Sequence, residues 1–454
     1  MRILLTGATG FLGRKLSKRL LIEGHELVIL TRNAARASAS FPLPAKFHDW
    51  DPLKEQPPAQ AFEGVGAVVH LAGDPVAEGR WTPEKKAAIR DSRVLGTRHL
   101  MSRIRSLGKD APKVVVSASA IGFYGDRGDE WVDETSAAGD GFLADVCREW
   151  ESELFSPGSK DTRRVAIRIG IVLGREGGAL AKLLPVFRAG LGGPIGTGTQ
   201  WMSWIHVDDL VSLIDWAIFQ EKAQGAINGV APQPVTQADF SKELARSVSR
   251  PSLIPTPAAA LRLALGEMSN VVLSGQRVSG AKAKALGFQW NYPALPEALE
   301  SFSPRDEEMT AEQWIPQLIE PTWEFFSAAR NLEEITPPWL GFHVVGMSSP
   351  KIGDQTLIDY KLKIHGFPIR WQSRIQDWSP PRSFVDTQIH GPYSKWHHTH
   401  SFHPVAGGTL IEDRVLYRVP MGVLGKVFAG GKVRRDVEMI FAYRKKVIAE
   451  KFGK

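Results

Sequence analysis

Three glycines stand at positions 7, 10 and 13 in the run Thr6-Gly7-Ala8-Thr9-Gly10-Phe11-Leu12-Gly13, directly after a short apolar segment and at the opening of a helical pattern. In that setting the first glycine permits a tight turn, the second lets backbone approach a pyrophosphate, and the third lets the helix pack closely. The unpaired N–H groups of the helix N-terminus attract the anion. The spacing therefore predicts a nucleotide site. The second apolar run ends Val28-Ile29-Leu30-Thr31-Arg32-Asn33, with an arginine where an acidic side chain would bind a ribose 2′-hydroxyl. A guanidinium pairs with a 2′-phosphate and stacks on adenine, which favours NADP(H) over NAD(H) as cofactor.

A second group that could do chemistry is the histidine series 390, 397, 398, 400 and 403. Period-two alternation puts His398 and His400 on one strand face with Trp396 and Phe402, and His397 on the other with Thr399 and Ser401. Two histidines on one face bind zinc only with a third ligand, and the sequence nominates none. No metal site is assigned, and paired cavity histidines and ordinary strand residues both remain open.

The elements that must position these residues follow from periodicity. Strands are expected at Arg2–Leu5, Glu26–Leu30, Ala67–Leu71, Lys113–Ser117 and Arg164–Leu173, and helices at Phe11–Gly24 and Pro83–Leu107. Strands alternating with helices imply parallel βαβ units, an α/β doubly wound sheet of the Rossmann type. The polar run from Ser301 to Gln313 is expected to be a linker. Beyond it come alternating stretches at 356–365, 369–378, 383–390, 395–403 and 409–418, divided by glycine- or proline-bearing turns, an antiparallel meander. The expected start of this part is a strand at 314–320 and helices at 321–330 and 332–335, and its end a helix at 422–449, with Lys432, Arg434, Arg435, Arg444, Lys445 and Lys446 on its solvated face. The domains are thus 1–299, a linker at 300–313, and an α+β domain at 314–454.

Composition narrows the function classes. The 454 residues carry 56 Lys and Arg against 49 Asp and Glu, a net charge of +7. Three of those charges fall after residue 304, so neither half is basic enough to call for a nucleic-acid partner. The single cysteine, Cys147, leaves no internal disulfide, and no apolar run is long enough to span a bilayer, so a cytoplasmic protein is expected.

Several motifs carry a resemblance to a family: the glycine turn, His70-Leu71-Ala72-Gly73, Trp81 through Arg93, Ser117 through Gly125, Arg168-Ile169-Gly170 and Trp204 through Asp209. Together they resemble the short-chain dehydrogenase/reductase superfamily, in its atypical epimerase-like branch often labelled sugar-nucleotide epimerase or cell-division-inhibitor-like. Residues 251–299 resemble the small C-terminal domain of unknown function that ends those proteins. The resemblance implies a cofactor site with Gly7, Thr9, Gly10, Phe11, Leu12 and Gly13 at the phosphates and Thr31 and Arg32 at the 2′ end. It places Leu71, Ala72 and Gly73 along the ribose, Arg93 reaching in from its helix, and Val172 on the nicotinamide side. Members of the superfamily transfer hydride with a serine and a Tyr-x-x-x-Lys pair. Ser119 matches the serine, but Phe142 and Val146 stand where tyrosine and lysine are expected, and neither moves a proton. Ser119 and Tyr124 remain as candidate catalytic residues, and Asp208 is expected to cap a helix.

Residues 314–454 resemble the helix-grip fold of START-like (SRPBCC) proteins, on the segments Phe325–Phe342, Ile358–Ile375 and Lys395–Phe402. That resemblance implies a cavity for a hydrophobic small molecule. The expected whole is an NADP(H)-binding oxidoreductase or epimerase-like protein with a small-molecule substrate, fused to a hydrophobic-ligand module. The alternative is a non-catalytic sensor of NADPH and a lipid-type ligand.

Overall fold

The computed structural model describes residues 1–157, 161–302, 306–420 and 422–453, with side chains from residue 430 onward in the last stretch. The chain divides into two compact units, one made of nearly all of residues 1–303 and the other from Pro304 onward.

The first unit is built on a seven-stranded sheet. Its strands are β1 (Arg2–Thr6), β2 (Glu26–Thr31), β3 (Lys46–Asp49), β4 (Val65–His70), β5 (Val114–Ala120), β6 (Arg163–Ile169) and β7 (Gly225–Gly229). Their order across the sheet is β7-β6-β5-β4-β1-β2-β3, every pair parallel. Strand order reverses between β1 and β4, where a doubly wound sheet opens its ligand crevice. Helices α1 (Phe11–Ile22), α2 (Ala34–Ser40), α3 (Pro83–Ser106), α4 (Phe142–Phe155), α5 (Gly178–Arg188) and α6 (Val207–Phe219) connect the strands. The strands read as continuous Val, Ile and Leu because both faces are covered. Leu4, Val28, Val68 and Val115 pack with Leu100, Met101, Ile104 and Leu154 from α3 and α4.

The strand expected over 164–173 breaks at Gly170. A Cβ there would stand 2.5 Å from the Ser203 carbonyl oxygen, so the chain leaves the sheet, and Ile171–Leu173 pairs with Trp204–His206 instead. Residues 256–302 complete this unit: Leu295, Ala298, Leu299 and Phe302 pack against Leu184, Phe187 and Trp204.

The second unit is an antiparallel sheet of β8 (Glu307–Ile315), β9 (His343–Met347), β10 (Leu357–Ile364), β11 (Phe367–Ser379), β12 (Ser383–His390), β13 (Lys395–Val405) and β14 (Gly408–Arg418). Its order is β8-β14-β13-β12-β11-β10-β9. Helices α7 (Ile319–Phe326) and α8 (Asn331–Ile335) lie between β8 and β9, and α9 (Gly422–Phe452) ends the chain.

Three expectations are corrected here. The stretch expected as a linker is strand from Glu307, and its residues 303–305 lie outside the described residues. Its polarity is that of an edge strand, with Glu308 paired to Arg414 across the ladder (2.7 Å). The strand expected at 314–320 therefore ends at Ile315, and the helix begins at Ile319. Arg444 is not on the solvated face of α9. It is buried between Phe441 and Ile448, because residues three and four apart share a helix face.

Among the described residues no helix is long and apolar enough to cross a membrane.

The closest packing in the first unit predicts a test. A Cβ on Gly13 would lie 2.2 Å from the Gly7 oxygen and 2.6 Å from the Ala8 Cα, both backbone atoms that cannot rotate away. Gly13→Ala is expected to destabilise the first unit by about 1–3 kcal/mol, read as a lower urea midpoint.

Candidate functional site

The crevice at the strand-order reversal is assembled by backbone. Gly7 has φ +70°, and a Cβ on it would meet the Leu71 carbonyl carbon at 2.8 Å. This close approach sets the end of β1 against the end of β4. Thr6 fastens the junction: its Oγ1 accepts from the N–H groups of Leu71 (3.2 Å) and Ala72 (3.1 Å) and lies 2.7 Å from His70 Nδ1. With both lone pairs engaged, the hydroxyl proton goes to His70. That imidazole is fully buried, and burial, with Arg93 nearby, lowers its pKa to about 4. His70 is therefore neutral, as an acceptor at Nδ1 requires.

The first i→i−4 bond of α1 runs from Arg14 N to Gly10 O. The N–H groups of Phe11, Leu12 and Gly13 precede it and point out of the helix N-terminus. Thr9 and Gly10 are exposed beside them, and a Cβ on Gly10 would meet only the Gly7 oxygen, at 3.3 Å. These residues fit a dinucleotide pyrophosphate: an open cradle, oriented donors and a positive helix end. Arg32 is exposed at the end of β2, next to half-buried Thr31. Asn33 caps α2 through its side chain, which accepts from Arg36 N (2.8 Å).

Arg93 lies along Gly73, where a Cβ would stand 3.1 Å from its Cζ. Its Nη1 donates to the carbonyls of Asp74 and Ile89, both at 2.9 Å. Val172 enters through its segment: the Phe11 ring fills the space beside Gly174 and Gly177, where a Cβ at either position would stand 2.4 Å from the ring. The glycine turn, Leu71–Gly73, Arg93 and the Val172 segment are thus brought together.

Ser119 and Tyr124 go elsewhere. Ser119 Oγ donates to Glu151 Oε1 (2.6 Å), and Glu151 holds Arg168 through two bonds of 2.9 and 2.8 Å. Arg168 Nη1 donates to the Tyr124 hydroxyl (3.0 Å), which donates to Asn228 Oδ1 (2.7 Å). The guanidinium also stacks 3.5 Å from the Phe123 ring centroid. Tyr124 has no exposed surface, and burial, partly offset by Arg168, pushes its pKa to about 12. Sequence reasoning missed this network, and Thr6 and His70 with it. The available signal was Glu151 on the buried face of α4, in line with Cys147 and Leu154. Phe142 opens α4 against Trp81, and Val146 is buried one turn later.

The helix α6 is capped by His206, not by Asp208: the His206 Nδ1 accepts from Asp208 N (3.1 Å). Its ring stacks between Tyr292 (3.9 Å) and Phe302 (4.6 Å). Asp209 binds the N–H groups of Asn291 and Tyr292. WIHVDDL is thus an anchor for residues 256–302.

Two measurements follow. Glu151→Ala leaves Arg168 buried without its carboxylate and is expected to cost about 3–5 kcal/mol in chemical denaturation, whereas Ser119→Ala costs about 1 kcal/mol. Burial lowers His206, like His70, to about 4 from 6.5. Between those values the unfolded chain binds more protons than the folded one, so stability falls as pH drops from 6.5 towards 4. The slope of urea midpoint against pH should be shallower in His206→Gln.

Residues 3–228 match the NAD dependent epimerase/dehydratase family, and residues 256–302 match a domain of unknown function, DUF1731. The chloroplastic epimerase family protein SDR39U1 homolog of Arabidopsis thaliana is 43% identical over 302 residues, covering 66% of this chain and 86% of the relative. Epimerase family protein YfhF of Bacillus subtilis is 37% identical, covering 66% and 97%. The crystal structure of human epimerase family protein SDR39U1 (isoform 2) with NADPH is 33% identical, covers 67% of this chain and 99% of that one, and superposes with a TM-score of 0.60. The chain therefore belongs to the NAD dependent epimerase/dehydratase family, with its first unit an epimerase-family unit of the SDR39U1 kind that ends in DUF1731.

Proposed function

We propose that residues 1–302 bind NADP(H) and act as a reader of the bound nucleotide, without the proton relay of sugar-nucleotide epimerases. The observation that carries the binding half is the cradle at Gly7–Gly13 beside an exposed Arg32. The cradle accepts the pyrophosphate, and the guanidinium supplies charge for the 2′-phosphate. The human relative crystallised with NADPH supports the same choice. When bound, the dinucleotide supplies hydride chemistry. The chain's own residues hold it: α1 N–H groups orient the phosphates, and the Leu71–Gly73 backbone, kept in place by Thr6, lies along the ribose.

The silent half rests on what the proton-handling positions do instead. Ser119 spends its hydrogen on Glu151, Tyr124 is sealed under Arg168 and Asn228, and Phe142 and Val146 carry no exchangeable proton. An oxidoreductase acting on a small-molecule substrate is the competing reading.

For the second unit we read a helix-grip module of the START-like kind over residues 314–454. Support comes from its order: two short helices after the first strand, a meander, and a long closing helix. Its apolar interior, around Trp323, Phe326, Phe384 and Phe402, is where a hydrophobic ligand would be held. The buried free thiol of Cys147 suits a reducing, cytoplasmic compartment.

The test is a fluorescence titration of the full chain with NADPH and NADH. NADPH should bind more tightly, and Arg32→Ala should weaken NADPH about 10–100-fold while leaving NADH nearly unchanged. Turnover of NADPH above background with any sugar nucleotide, quinone or lipid would favour the oxidoreductase; binding of neither nucleotide would end the proposal.

A further inference from the structure

The sequence offered two histidines on one strand face and no third ligand, and the fold of the second unit supplies one. His400 on β13 stands directly opposite Asp413 on β14, and His398 is two residues along the same face. All three side chains are at least nine-tenths buried. His398 Nε2 lies 2.9 Å and His400 Nδ1 2.8 Å from the same carboxylate oxygen, Asp413 Oδ1. Each of the three side chains offers a ligand atom within 4.8 Å of those of the other two.

The arrangement is poorly explained as a set of hydrogen bonds. One oxygen faces two imidazoles, and His400 Nδ1, although 2.8 Å away, lacks hydrogen-bond geometry and is unpartnered. A buried nitrogen left so is unfavourable unless something else engages it. Arg444 of α9 approaches the same oxygen at 3.6 Å, yet its Nε and Nη2 make no hydrogen bond. Next to this cluster lies a small cleft lined by Gln313, Ile411, Asp413, Phe441, Arg444 and Ile448.

We propose that His398, His400 and Asp413 bind one divalent cation of the zinc type. Two imidazoles and one carboxylate suit a borderline metal, and adjacent ligands of such an ion stand about 3.3 Å apart. The trio needs to open only slightly to admit it. Three protein ligands leave a coordination position for water or an anion. The Arg444 charge opposes a cation beside it and lowers the affinity. Around the trio pack Asp386, opposite His398 on β12, Phe384, stacked on His400, Trp396, edge-on to His398, and Phe441 of α9.

The test uses the full chain, stripped of metal with a chelator and titrated with Co²⁺, followed by displacement with Zn²⁺. Binding of one equivalent with visible d–d absorption, and two hyperfine-shifted histidine N–H resonances in the Co²⁺-loaded protein, is expected. Asp413→Asn and His400→Gln should each weaken binding at least about tenfold, with NADPH affinity unchanged. Because these residues are buried, the variants are compared only if their near-ultraviolet circular dichroism matches the parent, and the resonance count in the unmutated chain decides the matter otherwise. No stoichiometric binding, a histidine count other than two, or binding unaltered in both folded variants would overturn the proposal.

Discussion

The first unit depends on one close approach. Gly7 must pass within van der Waals distance of the Leu71 backbone, because the crevice lies between β1 and β4 and both strand ends must stay level for it to open. Thr6 holds that approach with two accepted hydrogen bonds and one directed at His70. Everything proposed for the nucleotide follows from it: the exposed start of α1, the line of Leu71–Gly73, and the seat of Phe11 against Gly174 and Gly177. A side chain at position 7, 13, 174 or 177 would collide with backbone or with the Phe11 ring, so the glycines are packing requirements as well as turn formers.

The buried chain from Ser119 through Glu151, Arg168 and Tyr124 to Asn228 fastens the middle of the first unit. Each link joins a different element: β5, α4, β6, the turn after β5, and β7. A carboxylate and a guanidinium that are desolvated together must each find several partners. Ser119 and Tyr124 are those partners, and a group committed to holding a buried ion pair is poorly placed to exchange protons with a ligand.

The parallel sheet, the glycine turn and the meander were legible in the sequence because each has a local period or a fixed spacing. The place of Arg32, just past the end of β2, was legible for the same reason. What escaped depends on contacts distant in the chain. Glu151 meets Arg168 only because α4 packs under β6, Asp413 reaches His400 only through the register of β13 and β14, and Arg444 is buried by its phase on α9. The strand at Glu307–Ile315 was hidden because an edge strand can be charged on its open side, which in composition is the signature of a linker. Asp208 is the cap that the sequence predicts, but the imidazole of His206 does the capping because Tyr292 and Phe302 hold its ring over the helix end.

The central claim, that the glycine cradle and Arg32 together take a 2′-phosphorylated dinucleotide, is tested most directly by phosphorus NMR of NADPH bound to the full chain. A guanidinium beside the 2′-phosphate favours its dianion, so its resonance should titrate at lower pH when bound than free in solution, and Arg32→Ala should abolish the difference. A bound nucleotide whose 2′-phosphate titrates as it does in free solution would contradict the account.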